Sequence, residues 1–175
     1  MKKMSTMLTA IIMIAATLVC ESTWAQSPAA TASGKLASGA NITIKYSAPS
    51  VRGRKIYGTD LVPYDKVWRA GANEATTIDI DKDVTVEGQK LPKGKYSIYA
   101  IASEKSQWQI IFNKQTGQWG INRDGSTTRD ASKDALVVKV TPKKAASMTE
   151  QLKYVVNPTG FSIIWENLEI PVAMK

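Results

Sequence analysis

Asn41-Ile-Thr-Ile-Lys-Tyr46 decides the fold class. Ile42, Ile44 and Tyr46 fall on one side of this run, and Thr43 and Lys45 on the other. A period of two marks a half-buried strand, because successive side chains of an extended chain point to opposite faces. The alternation returns in Ile78 and Ile80 against Thr77 and Asp79, in Val84 and Val86, and in Leu136, Val138 and Val140 against Val137 and Lys139. Further strands are predicted over residues 96–102, 108–113, 148–156 and 161–165, with a short one starting at Trp119 and a last edge strand over 170–172. About nine short strands and no long run of helical period predict an all-β, antiparallel β-sandwich, with a squat β-barrel as the alternative.

The connections carry ordinary turn chemistry. Pro49 and Gly53 end the first strand, and a basic loop follows through Arg52, Arg54 and Lys55. Asp81-Lys-Asp83 and Glu87-Gly-Gln-Lys90 read as turns, and Leu91-Pro-Lys-Gly94 fits a type I turn with Pro second and Gly fourth. Asn157-Pro-Thr-Gly160 reads as a four-residue hairpin loop. Residues 122–134 form a polar loop without apolar anchors, expected to be the most mobile part of the domain.

One stretch breaks the alternation: Tyr57-Gly-Thr-Asp-Leu-Val-Pro-Tyr-Asp-Lys-Val-Trp-Arg-Ala-Gly-Ala-Asn-Glu-Ala-Thr-Thr77. Thr59 or Asp60 can cap a short helical turn over 61–68, limited by Pro63, so the expectation near 59–69 is irregular or briefly helical backbone. Arg69, Asn73 and Glu74 supply a donor fork, a mixed group and an acceptor among the small residues Ala70, Gly71, Ala72 and Ala75. Small residues let backbones approach closely, and Gly71 is the expected site of a positive φ.

The domain is expected to occupy residues 39–175, preceded by a signal peptide (1–25) and a flexible leader (26–38) rich in Ala, Ser and Thr. Lys2 and Lys3 precede an apolar run over 7–19 that is short for a membrane span, and Thr23-Trp-Ala25 fits a small-x-small cleavage site. Cleavage there predicts a periplasmic or secreted protein with no transmembrane segment left. The alternatives are lipid anchoring through Cys20 and a retained amino-terminal anchor. Cys20 is the one cysteine, so the processed chain would hold no disulfide. The formal charge of +8 comes from scattered basic residues. For an exported protein, a solvated basic face, an anionic glycan or an acidic envelope component is a better account of it than nucleic acid.

The sequence contains no His, which excludes Ser-His and Cys-His nucleophilic sites and His-based zinc sites. Dinucleotide-binding and phosphate-loop fingerprints are missing, so no cofactor is expected. A carboxylate pair remains conceivable, with Glu74 partnered by Asp60, Asp65 or Glu166; the structural alternative pairs Glu74 with Arg69 or Arg54. Asp79, Asp81 and Asp83 invite a calcium reading, but 81–83 is more simply a turn. Trp108 and Trp165 sit on the apolar phase of strands and read as core, whereas Trp68 and Trp119 lie at loop edges and are candidate pocket walls.

These motifs resemble a family of exported bacterial proteins, most familiar from Bacteroidota and catalogued as domain of unknown function 2911. The resemblance rests on Arg52-Gly-Arg-Lys-Ile-Tyr-Gly58, Leu61-Val-Pro-Tyr64, Val67-Trp-Arg69 and Gly71-Ala-Asn-Glu-Ala-Thr76. It continues through Leu91-Pro-Lys-Gly-Lys-Tyr-Ser97, Trp108, Ile110-Ile-Phe-Asn-Lys114 and Trp119-Gly120. It implies a signal peptide plus one β-rich domain and no established activity. The chain departs from the family's usual pattern at Val51 (commonly Pro), Asp65 (commonly Gly) and Ala70 (commonly Thr or Ser).

The functional expectation is a non-catalytic binding module for a glycan, an anionic cell-envelope component or an envelope protein. Arg69, Asn73 and Glu74 would form its polar part, Trp68 and Trp119 its walls, and Arg52 and Arg54 its cationic flank. The alternatives are a carboxylate-based hydrolase centred on Glu74 and a structural envelope protein in which the stretch only braces the fold.

Overall fold

The computed structural model describes residues 26–175, so the segment read as a signal, with Cys20, lies outside the described residues. Eleven strands follow in chain order: β1 (Ala29–Lys35), β2 (Asn41–Ser47), β3 (Val67–Trp68), β4 (Thr77–Ile80), β5 (Val84–Val86), β6 (Gln89–Leu91), β7 (Gly94–Ile101), β8 (Trp108–Asn113), β9 (Asp134–Val140), β10 (Lys143–Asn157) and β11 (Gly160–Ala173). A 3-10 turn at Ala131–Lys133 is the only helical element among the described residues.

The main sheet runs β1-β2-β4-β7-β8-β9, every pair antiparallel, and β3 pairs with β7 beyond the end of β4. The long β10–β11 hairpin is packed against it, sharing one core. Ile42, Ile44, Ile78, Ile98 and Phe112 of the sheet belong to the same buried cluster as Leu152, Phe161, Ile163 and Trp165 of the hairpin. Two apolar faces closed on each other are the sandwich that alternation calls for. The sheet ends at β1 and β9 and does not close, so the barrel alternative fails.

Three local expectations are corrected. Residues 29–35 are not a leader: β1 pairs with β2 from Ala29↔Ser47 to Lys35↔Asn41. No helical turn forms over 61–68; the irregular alternative holds, tied down by bridges Tyr57↔Val62 and Tyr64↔Ala102. The Asn157↔Gly160 pair shortens the last hairpin loop to Pro158 and Thr159, and the paired strands extend well beyond the segments read from alternation.

The central strands are covered on both faces. On the side away from the main core, Tyr99 and Ile111 are fully buried with Ala75, against partly buried Val67 and Ile101. Gln118 Nε2 donates to the Tyr99 hydroxyl at 2.8 Å, and Ser97 Oγ donates to the Gln115 carbonyl at 2.7 Å. The connection after β8 therefore lies over the sheet, which explains why Trp108-Gln-Ile-Ile-Phe-Asn113 reads as a nearly continuous apolar run.

β11 changes phase along its length. Phe161, Ile163 and Trp165 face the core, and so do Ile170, Val172 and Met174 at the opposite parity. The switch lies at Glu166, whose φ is 52° and whose pairing with Thr149 sits between register shifts. A bulge that adds one residue to one strand inverts the faces beyond it.

Candidate functional site

β4 pairs with β7 at Ser97 through Gly94, and β3 pairs with it at Ile101 and Ala100. The residues between β3 and β4, 69–76, form a loop, and that loop is the second half of the irregular stretch singled out above. It is pinned from several directions. The Ala70 carbonyl accepts from Thr76 Oγ1 at 3.0 Å and from the Tyr154 hydroxyl of β10 at 2.7 Å. The Ala72 amide donates to the Ser47 carbonyl at 3.3 Å, and the Ala75 amide to the Gln118 carbonyl at 3.1 Å. The Gly120 amide donates to the Asn73 carbonyl at 2.9 Å.

The positive φ expected at Gly71 falls instead on Ala70 (52°) and Asn73 (56°), in the left-handed region that disfavours a Cβ. Gly71 answers to space. A Cβ there would lie 2.6 Å from Thr76 Oγ1 and 3.3 Å from the Ser47 carbonyl oxygen. Close approach of backbones is thus the reason for the small residues.

Six of the seven candidate residues, Arg52, Arg54, Trp68, Arg69, Asn73 and Trp119, line one cavity of about 430 Å³. That volume falls within the roughly 300–1,000 Å³ usual for small-ligand sites. Its lining holds three arginines and no acidic residue. Trp165 is in the core as predicted, 1 % exposed, with one edge on the cavity. Trp68 stacks on it at 6.1 Å between centroids and 15° between planes, and is itself only 5 % exposed. Trp119 differs, being 48 % exposed and offering an open indole face at the cavity wall.

The arginines are held differently. Arg54 folds back on its own loop, with Nε on the Val51 carbonyl at 3.0 Å and Nη2 on the Ser50 carbonyl at 2.7 Å. Arg52 is exposed; its backbone amide, not its side chain, is the donor to Glu150 Oε1 at 2.8 Å. Arg69 lies deeper. Its Nε donates to the Gly71 carbonyl at 3.3 Å, its stem runs against Gly120, and its Nη1 is buried without a hydrogen-bond partner. Burial pulls the Arg69 pKa down from its ordinary value, because desolvation disfavours the charged form. Asn73 Nδ2 donates to the Ser27 carbonyl at 3.0 Å, tying the start of the described chain to the cavity rim.

Glu74 is not part of this site. It is exposed, pairs across the backbone with Trp119, and lines a separate groove with Lys45 and Lys95. The left-handed turn of the backbone at Asn73 sends Asn73 into the cavity lining and Glu74 into the other groove. Among the described residues Glu74 forms no ion pair with Arg69 or Arg54. No second acid shares its groove; Asp60, one proposed partner, lies in a different cleft beside Arg69.

No group of three or more His, Cys, Asp or Glu among the described residues is placed to hold a metal ion. Asp81 is occupied otherwise, accepting from the Asn41 backbone amide at 2.7 Å and from Asn41 Nδ2 at 2.6 Å. Asp83 accepts from the Lys93 amide at 2.8 Å. Sequence reasoning missed Tyr154, the Ser27 carbonyl and Leu61 at the site. Tyr154 sits on the apolar phase of its strand, and nothing local marks its hydroxyl as reaching another layer.

The family model described as protein of unknown function (DUF2911) matches residues 27–174. The chain belongs to this family. The DUF2911 match takes in β1 and the Ser27 contact as well as the cavity, so the family's domain starts with the strand that composition had suggested was a leader. No curated protein and no solved structure matches the chain. Among the described residues no helix is long and apolar enough to cross a membrane.

Proposed function

We propose that this DUF2911 protein is a non-catalytic binding module whose ligand is an anionic sugar or other anionic cell-envelope fragment. One observation carries the reading: a cavity lined by three arginines and no acid, with a buried Arg69 N–H that has no partner. A buried guanidinium N–H left unpaired is costly, and a carboxylate or phosphate in the cavity would compensate it by drawing the Arg69 fork toward itself. Trp119 offers an exposed apolar face on which a sugar ring can lie. Asn73 adds a side-chain carbonyl at the rim. The protein would act in the periplasm or outside the cell, after cleavage before Gln26, with anchoring through Cys20 as the alternative; the intact mass of the natural product separates the two.

Calorimetric titration of the purified protein with glucuronate and galacturonate, with glucose and galactose, and with glycerol phosphate tests the ligand class. Binding of the acidic compounds and not of the neutral sugars, abolished in Arg69→Met, is the expected result; the phosphate arm tells carboxylate from phosphate recognition. Failure of every acidic compound to bind folded protein overturns the reading. The hydrolase alternative has little support, because Glu74 faces away from the cavity and stands among lysines.

A further inference from the structure

A second cleft of about 190 Å³ adjoins the first. The two share Leu61, Trp68 and Arg69 as a common ridge. One further wall residue of each comes from a single segment: Trp119 lines the first cavity, Ile121 the second, and Gly120 between them packs against the Arg69 stem. At about 190 Å³ the second cleft is smaller than the roughly 300 Å³ at which independent ligand sites begin. It is therefore suited to receive the continuation of a ligand already seated next door.

The two clefts also differ in charge. The first has Arg52 and Arg54 in addition to the shared Arg69. The second has Asp60 as its one charged residue besides Arg69. Asp60 is exposed and forms no ion pair among the described residues. An acidic unit is attracted to the first, whereas in the second Asp60 offsets Arg69 and sets a like charge against an acidic unit seated beside it. Ile121, Pro63, Val67 and Thr127 leave the second cleft otherwise apolar or uncharged.

From this we infer that the ligand is a linear glycan read over two adjacent units, an acidic sugar in the Arg52–Arg54–Arg69 cavity and a neutral sugar across the Leu61–Arg69 ridge in the Asp60 cleft. The inference rests on the anionic-sugar reading above and adds to it a chain length and a charge order. Asp60 acts as the specificity residue, turning away a second acid.

The test compares three probes on the full protein: glucuronate alone, the glucuronate–N-acetylglucosamine disaccharide, and the galacturonate disaccharide. The mixed disaccharide should bind about tenfold more tightly than glucuronate, the gain of one modest apolar contact set. The homouronate should gain little, and Asp60→Asn should raise its affinity severalfold while leaving the fold intact by circular dichroism. Ile121→Ala should remove most of the gain from the second unit. Equal affinities for glucuronate and the mixed disaccharide would overturn the two-unit reading and leave the anionic cavity standing. Equal gains for both disaccharides, unaltered by Asp60→Asn, would overturn the charge order. No binding of any of the three would remove the anionic-sugar reading, and this inference with it.

Discussion

The Tyr154 hydroxyl lies 2.7 Å from the Ala70 carbonyl oxygen, joining the carboxy-terminal part of β10 to the loop between β3 and β4. Ala70 holds a φ of 52°, a conformation alanine adopts only when its surroundings impose it. Tyr154 and Thr76 together impose it, by donating to the same carbonyl. Burial raises the Tyr154 pKa well above its ordinary value, so the hydroxyl stays a donor throughout the accessible pH range. Tyr154→Phe should cost about 1–2 kcal/mol, the range for one buried hydrogen bond whose acceptor keeps another partner. Chemical denaturation measures it; an unchanged midpoint would remove Tyr154 as the anchor of the loop.

Arg69 should behave in the opposite way. Its Nη1 has no partner to strand and its side chain makes no ion pair among the described residues. Arg69→Met keeps the stem packed against Gly120 and removes a desolvated charge. Stability should change by less than about 1 kcal/mol or rise, as when buried charges give way to apolar side chains of similar volume. Thermal melting of the variant checks this, and a large fall in melting temperature would make Arg69 a brace after all.

Asn73 separates backbone from side-chain effects. Its φ of 56° suits Asn and Gly better than Ala. Asn73→Ala should lose about 1 kcal/mol or somewhat more through the left-handed backbone and the lost bond to Ser27, whereas Asn73→Gly should lose less. The order of the two denaturation midpoints is the readout.

Gly120 has no room for a side chain. A Cβ there would lie 2.4 Å from Arg69 Cδ and 3.0 Å from the Asn73 carbonyl oxygen. Gly120→Ala should cost about 1–3 kcal/mol by overpacking, and should displace Arg69 enough to abolish ligand binding. Wild-type affinity in this variant would show that the Arg69 stem need not lie where it does.

Asp81 carries a pH dependence. Hydrogen bonds from the Asn41 backbone amide and side chain hold its pKa below the ordinary carboxylate value. A depressed folded-state pKa contributes stability that is present above the unfolded-state value and is lost as pH falls through the folded one. Asp81→Asn should therefore flatten the acid limb of the melting curve below about pH 4, where ordinary aspartates titrate. An unchanged acid limb would dismiss Asp81 as a contributor.

How much of this was legible follows from what each residue had to announce. β2 and β8 announced themselves, the first by alternation and the second by a short apolar run of strand length. β1 had no apolar period to show. It is an edge strand of small residues because the hairpin comes so close: a Cβ on Gly34 would lie 2.8 Å from Val156 Cγ1. Backbone pairing to β2 fixes it, and backbone pairing leaves no mark in composition. The cavity residues were legible as an odd cluster of Arg, Trp and Asn. Glu74 was grouped with them by adjacency in the chain, but the left-handed backbone at Asn73 turns the chain between the two residues. Tyr154 stayed hidden because its hydroxyl meets a carbonyl contributed from another layer.

The phase reversal at Glu166 puts an arithmetic constraint on the carboxy-terminal strand. With the bulge at Glu166 in place, removing a single residue between it and Ile170 would shift the parity and turn Ile170, Val172 and Met174 toward water. It would also part the Lys175 and Thr85 backbones, which now donate to each other at 3.0 and 2.8 Å. Removing or adding a pair would keep the inward parity. Relatives of this chain should accordingly differ in length here by even numbers of residues, and a library of one- and two-residue deletions should divide into non-folders and folders along that line.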